Sequence, residues 1–121
     1  MSYACAELIA RCFAARTAAH YLHFRANSYA QHVALDGFYT ELLDATDRFA
    51  ECHMGVEGQF KKFPTVPLQQ DLSPTELLTD LHDWVTKHRT ECADGSTELA
   101  NLIDEILAVI DRSFYKLKFL K

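Results

Sequence analysis

The sequence predicts an all-α protein, a four-helix bundle with one long crossover between its second and third helices, formed by a single domain over residues 1–121. Four segments carry apolar residues at the i, i+3, i+4 spacing of an amphipathic helix, and no segment alternates as a strand does. Capping residues precede the second and third segments. With 121 residues, 49% hydrophobic and 24% charged, the chain has the composition of one soluble domain.

The first two helices are separated by the segment RANS. The first is predicted from about Tyr3 to Phe24. Its apolar positions at helical spacing are Leu8, Cys12, Ala15, Ala19 and Leu22. Ser28, followed by Gln31, makes a capping box, so the second helix is predicted from there to about Met54. The glycines that follow, Gly55 and Gly58, are expected to end it.

The last two helices follow the one long connection of the chain, the crossover EGQFKKFPTVPLQQDL between Met54 and Leu72. In SPTE, Ser73 is the predicted N-cap, Pro74 the first helical residue and Glu76 the partner in a capping box. DGST separates the third helix from the fourth, which runs to the C-terminus. Short connections on both sides of one long crossover are typical of ferritin-like bundles.

Charge and cysteine content exclude several classes of protein. A net charge of −5 and a pI near 5.6 do not favour nucleic acid or an anionic membrane as a partner. No run of 18 apolar residues predicts a membrane span, and the N-terminus lacks the pattern of a signal peptide. The four cysteines form no CxxC pair. They are expected to be reduced, mostly buried residues of a cytoplasmic protein.

Four residues that can bind metal share one face of the second helix. With His32 at zero on a wheel of 100° per residue, Asp36 falls at about 40°, Asp47 at about 60° and Glu51 at about 100°. These four residues, the His–acid stripe, border the apolar face of the helix. Carboxylates at such a border cost free energy unless they are paired, protonated or bound to a cation.

The spacing of the stripe, 4, 11 and 4 residues, reads the same in both directions. Asp36 and Asp47 lie about 16 Å apart along a helix, so they cannot bind one ion within one chain. A second copy of this helix can pack antiparallel on the first, with a two-fold axis between residues 41 and 42. His32 and Asp36 of one subunit then lie opposite Asp47 and Glu51 of its partner. The spacing therefore predicts a homodimer with two identical metal sites, about 22 Å apart, shared between the subunits.

His20 completes the predicted site. It lies about as far before the RANS turn as His32 lies after it, so the two imidazoles are expected at the same level of the helical hairpin. Each site then contains His20, His32 and Asp36 of one subunit, with Asp47 and Glu51 from its partner. This set of nitrogen and oxygen ligands suits iron, manganese or zinc.

The stretch HYLHFRANSYAQHVALDGFYTELLDATDRFAE, from His20 to Glu51, resembles the Dps family, the small ferritins of starved cells. The ending SFYKLKFL is similar to the end of that family's last helix. The resemblance implies a ferroxidase centre at the dimer interface, where Fe²⁺ is oxidised by hydrogen peroxide or oxygen. It also implies storage of iron in a dodecamer-like shell. By that match the catalytic and metal-binding residues are His20, His32, Asp36, Asp47 and Glu51.

Three features depart from the pattern of that family. Tyr21 stands where the family usually has tryptophan beside the first histidine. The crossover is too short for the family's small additional helix, which bears on assembly of a shell. No lysine-rich tail precedes the first helix, so DNA binding is not expected.

Two other functions are compatible with the sequence. The same ligands could hold a structural or sensory ion such as zinc in a non-catalytic homodimer. A helical adaptor could instead use the acidic stripe against a basic partner without binding metal. The palindromic spacing favours the metal-binding alternatives, because an adaptor does not need it.

The remaining polar residues of interest are expected outside the ligand set. His23 is expected to face solvent or the next subunit rather than the site. Asp44, at about 120° on the same wheel, borders the stripe and is expected to support its ligands or guide cations. His53, His82 and His88 have no partner at ligand spacing and are expected to be structural or surface residues.

Overall fold

In the computed structural model, which describes residues 3–120, the chain forms four α-helices. They are α1 (Tyr3–Phe24), α2 (Tyr29–Glu57), α3 (Pro74–Ala93) and α4 (Thr97–Phe119). No strand occurs in these residues, and residues 58–73 contain no helix. The predicted all-α fold is confirmed, and α1 has the predicted bounds.

Serine caps fix the starts of α2, α3 and α4. The backbone N–H of Gln31 donates to Ser28 Oγ at 3.1 Å. At the start of α3 the predicted capping box is complete, since Glu76 N donates to Ser73 Oγ at 3.2 Å and Ser73 N donates to Glu76 Oε1 at 2.9 Å. Ser96 caps α4 in the same way, although this cap was not predicted. Each cap satisfies a backbone N–H that the first helical turn leaves unpaired.

The end of α2 lies beyond the predicted position. The helix continues past Met54 through Gly55 to Glu57, and Gly58 ends it with φ +94°. Glycine inside a helix costs only about 1 kcal/mol relative to alanine, so Gly55 does not stop it. The N–H of Gly58 donates to the carbonyl of Met54 at 2.8 Å, which satisfies one carbonyl of the last turn.

We expect Ser73→Ala to lower the free energy of unfolding by about 1 kcal/mol, because the N–H of Glu76 loses its acceptor. The measurement is urea unfolding, in which the midpoint should fall while the slope stays unchanged. Thr79→Ala, an exposed change within the same helix, is the control and should not lower the midpoint. An equal loss in both variants would contradict a capping role for Ser73.

Contacts between the helices define an up-down-down-up bundle. Cys5, near the start of α1, donates through Sγ to the carbonyl of Cys92, near the end of α3, at 3.0 Å. Arg112 of α4 pairs with Glu41 of α2 at 3.1 Å, and α4 also packs antiparallel on α3. Each helix therefore has two antiparallel neighbours. The crossover returns along the bundle, where Arg25 Nη1 donates to the carbonyl of Gln70 at 3.2 Å.

The core is formed by the inner faces of all four helices. Phe38 and Phe49 of α2 are its largest fully buried side chains. No disulfide joins any of the four cysteines within residues 3–120; Cys52 is half-buried and the others are buried. Burial raises the pKa of Cys12 to about 12. The thiol is therefore protonated at neutral pH and behaves as a small apolar side chain, as predicted.

Within residues 3–120, no helix is long and apolar enough to cross a membrane.

Candidate functional site

Two stacked histidines join the ends of α1 and α2. His23 Nδ1 hydrogen-bonds the carbonyl of His32 at 2.7 Å, and His32 Nδ1 hydrogen-bonds the carbonyl of His23 at 3.0 Å. Their rings stack with centroids 3.6 Å apart. A carbonyl can only accept, so each Nδ1 carries the proton and each Nε2 keeps its lone pair when the ring is neutral. Histidines that bind metal through Nε2 usually have their other nitrogen fixed in this way.

The partner of His32 is His23 and not the predicted His20. His23 was expected to face solvent or the next subunit; it does not face solvent, because this residue is 8% exposed. The number of residues from the turn sets only the height of a residue along the axis of the hairpin. The position of the residue around the axis of α1 decides whether its side chain faces α2. His23 follows the fully buried Ala19 by one helical turn, and His20 lies beside that buried line.

His20 instead joins a polar and aromatic group on the outer face of α1 and α2. Its ring stacks on Tyr39, with centroids 4.2 Å apart, and on Phe24 at 4.9 Å. The hydroxyl of Tyr39 donates to Asp36 Oδ1 at 2.7 Å. This hydrogen bond is the main cause that raises the pKa of Tyr39. The structure thus brings Asp36 to His20 through Tyr39.

Arg16 adds a positive charge to the same group. Its guanidinium carbon lies 5.8 Å from the centre of the Tyr39 ring. Its Nε is buried and has no hydrogen-bond partner within residues 3–120. A buried donor without an acceptor is costly, so this N–H is suited to donate to a carboxylate or water from outside the chain. The sequence did contain one indication that Arg16 belongs to this group: Arg16 and His20 are one helical turn apart and so lie on the same face of α1.

The second half of the His–acid stripe lies further along α2, away from the histidines. Asp47 and Glu51 are exposed, and none of the ion pairs among the described residues involves either of them. In this chain Asp44 is part of an ion-pair network on the surface. It pairs with Arg48 at 3.2 Å, which in turn pairs with Glu105 of α4 at 3.4 Å.

Residues 3–120 of one chain do not form a complete metal site. Across residues 3–120, no three histidine, cysteine, aspartate or glutamate side chains lie close enough to hold an ion. Of the predicted ligands, His20, His32 and Asp36 lie at the hairpin end, and the other two do not approach them.

The other histidines occupy structural or surface positions. His82 pairs with Asp111 of α4 at 3.2 Å, and His88 stacks on Trp84 with centroids 4.0 Å apart. His53 is 2% exposed, and its ring stacks on Phe60 at 4.7 Å. Its Nδ1 has no hydrogen-bond partner among the described residues.

Protonation of His53 should destabilise the fold. Burial lowers its pKa below the ordinary value near 6.5, with nearby Glu57 opposing part of the shift. The folded state therefore binds fewer protons than the unfolded state just below that pH. The contribution of neutral His53 to the free energy of unfolding is fully present above about pH 6.5. It is lost as the pH falls through the lowered pKa of this residue.

Urea unfolding of the wild type and of His53→Phe at pH 7.5 and pH 5.5 measures this effect. Phenylalanine keeps the ring contact with Phe60 but does not titrate, so the variant should lose less stability between the two pH values. Thr79→Ala, an exposed change at a residue that does not titrate, should retain the dependence of the wild type. Equal losses in all three proteins would show that His53 does not titrate in this range.

A family model and one curated relative match the chain. Residues 23–117 match the model described as "Family of unknown function (DUF5856)". An "Uncharacterized 14.6 kDa protein in mobD-ri intergenic region" of Enterobacteria phage T4 is 29% identical over 114 residues, which cover 94% of this chain and 84% of the phage protein. No solved structure matches the chain.

The predicted membership of the Dps family is wrong, because the matching model, which includes His23 to Leu117, is a different family. The resemblance rested on five polar residues within one hairpin. On a solvent-facing helical stripe, side chains are only weakly constrained by packing, so such a spacing does not identify a family. The chain belongs to the family of unknown function DUF5856.

Proposed function

We propose that this protein is a helical homodimer that binds divalent transition metal ions at two equivalent sites between its subunits. The observation that carries this proposal is the palindromic spacing of the His–acid stripe on α2. That helix is continuous from Tyr29 to Glu57, so the helical geometry used for the stripe applies along its whole length. A two-fold axis between residues 41 and 42 then pairs the two halves of the stripe across the interface.

The environment of the stripe supports this arrangement. Asp36, Asp47 and Glu51 are exposed, and within residues 3–120 no ion pair neutralises them. Bringing these carboxylates together at an interface without a cation would be unfavourable. A bound metal ion removes that cost, and the fixed Nδ1–H of His32 leaves Nε2 free to bind it.

Apolar side chains around the histidines favour a covering partner. Tyr21, Phe24, Tyr29 and Val33 are 44%, 70%, 83% and 46% exposed, respectively. They belong to the end of α1 and the start of α2, next to His20 and His32. Monomeric proteins seldom expose contiguous apolar patches of this kind, and association of a second subunit would bury them.

The proposed ligands are His20, His32 and Asp36 of one subunit with Asp47 and Glu51 of the partner subunit. Imidazole and carboxylate ligands suit zinc, manganese and iron. When bound, the ion would link the two chains. The Dps family, which implied oxidation of Fe²⁺ by peroxide or oxygen and iron storage in a shell, is not the family of this chain. Both activities therefore stay untested predictions. Cysteines that form no disulfide within residues 3–120 fit the proposed cytoplasmic location.

Native mass spectrometry after anaerobic loading with Fe²⁺, Mn²⁺ or Zn²⁺ tests the proposal, because it reports oligomer mass and metal content together. The wild type should be a dimer with two occupied sites. Asp47→Asn should lose metal at both sites, since each subunit supplies this ligand to its partner. Asp83→Asn, an exposed aspartate of α3 outside the stripe, should bind as the wild type does. A metal-free wild type, or equal loss in both variants, would overturn the proposal.

A second candidate function is a metal-free homodimeric interaction protein. The buried, unpartnered Nε of Arg16 favours it, because a carboxylate of the partner subunit could pair with this guanidinium. Mass spectrometry separates the two candidates, since this one requires a dimer without bound metal. Fe²⁺ oxidation at equal rates in the wild type and in Asp47→Asn would contradict a ferroxidase role for the stripe.

A further inference from the structure

A cavity of about 290 Å³ lies on a different face of the bundle, between α1, α3 and the crossover. Its polar and aromatic lining includes Glu7 and Arg11 of α1 and Asp80 and Trp84 of α3. Segment 64–67 and Gln69 of the crossover cover its outer side. Its volume is at the lower end of the range for small-molecule sites, about 300–1,000 Å³, and suits a ligand of amino-acid size.

Arg11 is held in place within this cavity. Its Nε donates to Glu7 Oε2 at 2.9 Å, and its guanidinium carbon lies 4.9 Å from the centre of the Trp84 ring. Trp84 is itself fixed by stacking of His88, whose Nδ1 hydrogen-bonds the Trp84 carbonyl at 2.9 Å. The Nη atoms of Arg11 donate to no other group within residues 3–120. A fixed guanidinium whose two Nη atoms are both free can bind a carboxylate through two hydrogen bonds.

Asp80 supplies the opposite charge. It lies one helical turn before Trp84 on α3 and forms no ion pair within the described residues. Its carboxylate can therefore accept hydrogen bonds from an ammonium group. Part of the cavity wall is aliphatic. The residues of that wall are Ala14, Ala15, Val66, Leu77 and Leu81.

We propose that this cavity binds a small apolar amino acid, with its carboxylate on Arg11, its ammonium on Asp80 and its side chain against the aliphatic wall. Glu7 acts as a positioning residue, because it fixes the guanidinium through Nε and leaves both Nη atoms to the ligand. This site is separate from the His–acid stripe and does not depend on dimerisation or metal binding.

Titration of the full chain with L-leucine tests the proposal, using amide NMR shifts to locate binding and calorimetry to measure it. Amides of residues 65–66, 68–69 and 77–84 should shift in a saturable way, with a dissociation constant on the order of 1 mM or tighter. Two analogues separate the charges. 3-Methylbutylamine lacks the carboxylate and 4-methylpentanoate lacks the ammonium, so each should bind about tenfold more weakly or worse.

Arg11→Gln and Asp80→Asn should each weaken L-leucine binding by about tenfold or more. Arg11→Lys keeps the positive charge for folding but cannot bind a carboxylate in the same bidentate way, so it should weaken binding as well. Arg48→Gln and Asp83→Asn, both outside the cavity, are the matched controls and should bind as the wild type does. Absence of shifts at the cavity, equal binding of either analogue, or unchanged binding in folded Arg11 and Asp80 variants would overturn the proposal.

Discussion

Phe38→Ala should lower the free energy of unfolding by about 3–5 kcal/mol, the range typical of a buried phenylalanine replaced by alanine. Phe38 is fully buried on α2, in the core shared by the four helices. The change removes the ring and leaves a cavity that surrounding side chains fill only in part. Because domains of this size are stable by only about 5–15 kcal/mol, the melting temperature should fall by roughly 10–20 °C.

Phe119→Ala is the control for this prediction. It removes the same side chain from the end of α4, where Phe119 is 64% exposed, and should change stability by less than about 0.5 kcal/mol. Urea and thermal unfolding at one fixed protein concentration measure both variants, since association alters apparent stability. Similar losses at the two positions would mean that Phe38 is not a core residue of the folded protein.

Much of the fold could be predicted because local signals agree with tertiary packing. Ser28 and Ser73 mark helix starts through short-range hydrogen bonds that need no other part of the chain. The end of α2 was less certain, since the cost of one interior glycine is smaller than the gain from continuing a packed helix. Which neighbours each helix packs against depends on the whole core, yet one long crossover between short connections allows few arrangements.

The candidate site was less predictable than the fold. Counting along the chain located His32 and the stripe of α2, because those positions depend on one helix alone. It missed the contact between His23 and His32, which depends on the rotation of α1 relative to α2. It also missed the polar roles of Tyr39 and Arg16, since a hydroxyl and a guanidinium at the border of an apolar face carry no distinctive spacing.

Thr40→Arg should dissociate the proposed homodimer. Thr40 is exposed, falls at about 80° within the His–acid stripe, and lies about 2 Å along the helix from the proposed two-fold axis. The axis would place the two new guanidinium groups near each other across the interface. Like charges brought together at an interface cost several kcal/mol, so the dimer dissociation constant should rise about 100-fold or more.

The fold of each chain should survive this change, because Thr40 is exposed and arginine favours helix more than threonine does. Thr90→Arg, an exposed position of α3 away from the stripe, alters the net charge equally and should leave the dimer intact. Sedimentation equilibrium gives the dissociation constants, and metal content measured on the same samples should fall with dissociation in Thr40→Arg alone. A dimer that withstands Thr40→Arg would place its interface elsewhere. Dissociation of both variants would mean that net charge, rather than an axis between residues 41 and 42, governs association.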